Sequence, residues 1–69
     1  MKNHYIVKLN TASGKTFYIR HYVHGIYTID TDRNYAGVFT NKKTAAAAGK
    51  YFTWYQMSEH STFEVIKIN

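Results

Sequence analysis

A chain of 69 residues with a formal net charge of +5 and no cysteine has room for one hydrophobic core and no disulfide to brace it. Thiol catalysis and thiolate zinc sites are excluded. No stretch has the length of a membrane span or the apolar segment of a signal peptide, the longest uniform run being Ala45 to Ala48. The expectation is therefore one domain over residues 1–69, in a reducing cytoplasm. Aromatic residues are 17% of the chain, seven of them Tyr. Each buried ring removes roughly 150–250 Å² from water, which is how a short chain can build a core.

Residues 4–10 alternate, with Tyr5, Val7 and Leu9 facing one way and His4, Ile6 and Lys8 the other. Thr11 to Lys15 is a turn in which Gly14 supplies the permissive backbone. Residues 16–23 return as a second strand, with Phe17, Ile19 and Val23 on one face and Tyr18, Arg20 and Tyr22 on the other. After His24-Gly25, residues 26–29 are rich in strand formers, and Asp30 to Asn34 is polar and turn-forming. Tyr35 to Phe39 is a short extended piece that either pairs with the third strand or serves as a connector.

Thr40 or Asn41 caps a helix that runs to about Met57 or Ser58. Four consecutive alanines make it the strongest helical segment of the chain. At 100° per residue, Ala45, Ala48, Gly49, Phe52 and Tyr55 form the stripe that should lie on the sheet. Gly49 costs about 1 kcal/mol relative to Ala inside a helix, so a close approach to the sheet is its expected reason. Residues 63–68 form the last strand. The fold class is α+β: an antiparallel sheet of four strands, or five if Tyr35–Phe39 pairs, in the order β-β-β-(β)-α-β with one helix on one face.

Five groups of residues invite a functional reading. Ala47, Tyr51 and Trp54 form a second helical stripe beside the core stripe, and an exposed Trp–Tyr pair is typical of an interface. A sheet that curls around the helix would bury it instead. Tyr18, Arg20 and Tyr22 share a strand face with Lys8, and rings alternating with cations suit single-stranded nucleic acid. The same residues also suit a solvated strand. Lys42, Lys43 and Lys50 are cations on the helix, two of them at the end where they oppose its dipole. They steer an anionic partner or form an ordinary charged turn. His21 and His24 are spaced as a metal pair but point to opposite faces of a strand, so no metal site is expected. Asp30 and Asp32 flank a turn, where carboxylates cap amides, and no catalytic set accompanies them.

Three strands followed by a helix opening Val38-Phe39-Thr40-Asn41-Lys42-Lys43-Thr44-Ala45 resemble the integrase-type and AP2-type DNA-binding domains, over roughly residues 5–56. That resemblance implies a sheet laid against DNA; the terminal strand and the scarcity of strand cations depart from it. Gly25-Ile26-Tyr27-Thr28 with the later Val38-Phe39 is similar to the RNA–DNA hybrid-binding module found before ribonuclease H, without that module's following Trp. Over its whole length the chain resembles small accessory proteins of phages and prophages of low-GC bacteria. This likeness implies a stand-alone protein that contacts a host component or nucleic acid.

The combined expectation is a non-enzymatic binding module without cofactor, metal, membrane or small-molecule substrate. Its partner is nucleic acid or an acidic protein surface, met through Lys8, Tyr18, Arg20 and Tyr22 and steered by Lys42, Lys43 and Lys50. Ala47, Tyr51 and Trp54 form a homodimer contact. The rival is a protein–protein adaptor or inhibitor that docks a host protein on Tyr51 and Trp54.

Overall fold

A computed structural model describes residues 3–20, 27–57 and 60–68. Strand β1 (Tyr5–Thr11) and strand β2 (Thr16–Ile19) form the expected hairpin, joined through Gly14 at φ 88°. Within this turn the Thr11 amide donates to the Lys15 carbonyl at 2.9 Å, and the Lys15 amide donates to Thr11 Oγ1 at 3.0 Å. Strand β3 (Ile29–Asp30) pairs with β2, and strand β4 (Ser61–Lys67) pairs with β1 along its whole length. The sheet is antiparallel in the order β3-β2-β1-β4. Helix α1 (Lys42–Tyr51) lies across it, continued by a wider π turn, Phe52–Gln56. The α+β class and the helix on one face are as the sequence implies.

The inner face follows from strand alternation and register. Leu9 stands between Phe17 and Phe63, Val7 beside Val65, and Ile19 beside Ile29. Leu9, Ile19 and Val7 are fully buried, each stabilising by about 1.5–3 kcal/mol relative to exposure. Ala45, Ala48 and Phe52 of the helical segment close over them. Tyr27 fills the β2 side of the core, its ring centroid 6.2 Å from Phe39 and 6.3 Å from Phe52. Ile6, on the opposite face and paired with Ile66, is also buried.

Three boundaries differ from the sequence reading. The third strand starts later and takes in Asp30, which sequence had placed in the turn, because Ile29 and Asp30 are the residues in register with Ile19 and Tyr18. Tyr35–Phe39 is not a strand paired with β3. Arg33–Tyr35 is a 3-10 turn, and Phe39 exchanges two backbone hydrogen bonds of 2.8 Å with Tyr5 of β1. The last strand begins two residues earlier, at Ser61, where it meets Thr11. The continuation of the second strand, including Tyr22 and Val23, lies outside the described residues, as do His21 and His24.

Asn41 caps α1, its Oδ1 accepting from the Lys43 and Thr44 amides at 2.8 and 3.3 Å. Gly49 meets the expected close approach. A Cβ built there would lie 2.6 Å from Cγ of Phe63, inside the closest contact real side chains make. Gly49→Ala therefore sets a helix-propensity gain of about 1 kcal/mol against an overpacking cost of about 1–3 kcal/mol. The overpacking should win, lowering Tm by several degrees, since about 1 kcal/mol shifts a domain of this size by roughly 4–8 °C. Adding Phe63→Leu should recover part of the loss. A Gly49→Ala protein with raised Tm in a thermal melt would contradict this contact.

Candidate nucleic-acid interface

The sheet's outer face carries the strand residues singled out for nucleic acid, and it brings them acids as well. Register places Asp30, Tyr18, Lys8 and Glu64 in one row across the four strands. Side chains directly opposite in antiparallel pairs share a face and interact, so Lys8 has Glu64 as its neighbour. Arg20 reaches Asp30, Nη1 to Oδ2 at 3.6 Å, and its guanidinium lies 5.1 Å from the Tyr35 ring centroid. This face is thus charge-compensated. Sequence reasoning missed the compensation because Asp30 was assigned to a turn and the Lys8–Glu64 register depends on sheet order.

Asp30 and Asp32 hold the loop that follows. Asp30 Oδ1 accepts from the Asp32 amide at 2.8 Å, and Asp32 Oδ1 accepts from the Asn34 amide at 2.9 Å. These are two successive Asx turns, the structural use of such carboxylates. A cleft of about 310 Å³ opens between Tyr27, residues 37–41 and Thr44. Its polar lining is hydroxyl and amide, with the Asn41 oxygen already engaged in the helix cap. Among the described residues no three His, Asp or Glu side chains gather as a metal site, and no helix is long and apolar enough to cross a membrane.

The outward side of the helical segment is different. Ala45, Ala48, Gly49 and Phe52 point to the sheet, which turns Lys43, Ala47, Lys50 and Trp54 away from it at helical spacings of four, three and four. Lys42 and Tyr51 flank this stripe. Lys42, Lys43, Ala47, Lys50, Tyr51 and Trp54 are all exposed. The segment from Lys42 to Gln56 contains no acidic residue. Two groups that sequence treated separately, the helix cations and the aromatic stripe, therefore form one surface. Charge in the described structure is segregated. Asp30 and Glu64 lie on the far face of the sheet and Asp32 in the loop beside it.

The π turn adds a residue the sequence reading had placed in the core. At 100° per residue Tyr55 falls on the core stripe, yet it is 73% exposed. The Met57 amide donates to the Phe52 carbonyl at 2.9 Å, a five-residue step in place of four. One extra residue in the turn rotates Tyr55 outward, and Met57 packs against the core instead. The Thr53 hydroxyl donates to the Gly49 and Lys50 carbonyls at 3.0 and 3.2 Å, the kind of side-chain competition that bends a helix ladder. Tyr55 then packs beside Tyr51, centroids 6.0 Å apart, and Gln56 Nε2 donates to the Tyr51 hydroxyl at 2.8 Å. Trp54 is 69% exposed, and its indole makes no ring contact or hydrogen bond with the described residues.

No known protein family, curated protein or solved structure matches this chain. The function must be argued from the surface itself.

The π turn is open to a stability test by chemical denaturation. Phe52→Ala should cost about 3–5 kcal/mol because it empties the core beside Tyr27. Tyr55→Ala should cost at most about 1 kcal/mol, the scale of an exposed ring pair. Equal losses would mean that the helix continues with four-residue steps and buries Tyr55.

Proposed function

We propose that this chain is a non-enzymatic nucleic-acid-binding module that meets its ligand through the outward face of the helical segment rather than through the sheet. The observation that carries the reading is the coincidence of Lys43, Lys50 and Trp54 on one acid-free face, with Lys42 and Tyr51 alongside. Nucleic acid offers both complements to such a surface. Its phosphates match the lysines, and its bases match the rings. Lys42 and Lys43 sit at the helix end where cations are disfavoured by a few tenths of a kcal/mol, and a bound phosphate reverses that sign. The sheet cations contribute little on this reading, because Arg20 is paired with Asp30 and Lys8 has the carboxylate of Glu64 as its cross-strand neighbour.

A protein partner, either a second copy of the chain or a host protein, is the competing use of the same surface. The exposure of Trp54 and Tyr55 favours it, since such rings dominate protein interfaces. The two uses separate by their response to salt.

Fluorescence anisotropy with a labelled oligonucleotide, over a range of salt concentrations, tests the proposal. Three lysine–phosphate contacts predict a slope of log K against log salt of about −2 on single strands. Lys43→Ala with Lys50→Ala should flatten it to about −0.7, while Lys8→Ala leaves it in place. No binding at low salt would remove the nucleic-acid reading. A doubled mass in light scattering that Trp54→Ala abolishes would then assign the surface to self-association.

A further inference from the structure

We infer that the ligand is single-stranded nucleic acid, and that the indole of Trp54 is the platform on which one of its bases stacks. This deepens the proposed function and rests on it. The lysines alone do not choose between duplex and single strand, because phosphates are present in both. The choice comes from the rings. Trp54 presents a large π face with no partner among the described residues, 69% exposed and unengaged by Tyr51, Tyr55 or Gln56. In a duplex the bases are stacked on one another and their faces are hidden. An unpaired base offers a face that the indole can cover.

The neighbours of Trp54 hold the surface in that state. Tyr51 and Tyr55 pack on each other, and Gln56 ties down the Tyr51 hydroxyl, so this pair is committed to a fixed ledge beside the indole. Lys50 lies one helical turn away on the same stripe, and Lys43 about 10.5 Å further along the axis from Lys50. A strand whose base sits on Trp54 can therefore run its backbone towards Lys50 and Lys43. Helical spacing alone puts Trp54 opposite the buried stripe, and the five-residue step at Phe52–Met57 adds Tyr55, sent outward beside Tyr51 while Met57 packs against the core.

Trp54 is the chain's only tryptophan, so its intrinsic fluorescence reports the contact directly. The experiment titrates the protein at low salt with a single-stranded oligonucleotide, the duplex of the same sequence, and heparin as a polyanion without bases. The expected result is quenching of Trp54 emission by the single strand only. Trp54→Ala should weaken single-strand affinity, followed by anisotropy, roughly 5- to 150-fold, the range for one base–ring stack. It should leave duplex and heparin affinity unchanged. Trp54→Phe, which keeps a π face, should recover part of the loss, and circular dichroism of both variants should match the parent. Binding of single strand and duplex with equal affinity, or with no dependence on residue 54, would overturn the single-strand inference and leave the nucleic-acid reading standing. Failure of both oligonucleotides and heparin to bind would overturn the two together.

Discussion

The packing of a small-residue helix face on strands β1 and β4 is the contact on which the rest of this structure depends. Ala45, Ala48 and Gly49 have almost no side-chain volume, so α1 can settle close above β1 and β4. Phe63 fills the space that a larger residue at Gly49 would need. This closeness is affordable to a short chain because it completes a core with few residues: Leu9, Val7 and Ile19 beneath, Phe52 and Tyr27 at the side. With one face of the helix committed in this way, the opposite face is forced outward. Whatever residues occupy it become the largest continuous surface of one helix.

That surface is unusual in what it lacks. The helix has three lysines and no acid, and although Lys50 suits the last turn, the N-terminal end has only the Asn41 cap to stabilise it. Lys42 and Lys43 are placed where the helix does not favour them. The aromatic residues Tyr51, Trp54 and Tyr55 are left in water, where their burial elsewhere in the core would have been worth several kcal/mol. Neither feature helps the fold. Both follow if the surface is completed by an anionic, ring-bearing ligand. The sheet shows the opposite arrangement, each of its outer cations lying near an acid or a ring, which is how a solvated strand face is stabilised without a partner.

The π turn joins folding to this surface. An uninterrupted α-helix would turn Tyr55 towards the sheet and Met57, about 200° further round, away from it. The five-residue step reverses the two, and the flexible thioether adapts to an irregular gap better than a phenol whose hydroxyl needs a partner. Thr53 takes part by drawing its hydroxyl onto the carbonyls of Gly49 and Lys50. The turn therefore belongs to the core packing on one side and to the exposed rings on the other. A change at Thr53 or Met57 acts on both.

Sequence by itself determined the class of the fold, the hairpin around Gly14, the capped helix and its buried stripe from Ala45 to Phe52. These are local patterns: alternation in strands, a 3.6-residue repeat, turn and cap residues whose preferences act over a few positions. Tertiary structure decided the pairing of β1 with β4 and of β2 with β3, and with it the neighbours Lys8–Glu64 and Tyr18–Asp30. Register between distant segments follows from how the two faces are shared, and no local preference encodes it. It also decided Tyr55, because the five-residue steps of the π turn reset the helical phase. For the same reason the proposed site lies on the helix rather than on the sheet. Charge can be counted along a chain, but whether a cation is answered by an acid depends on which strands lie side by side.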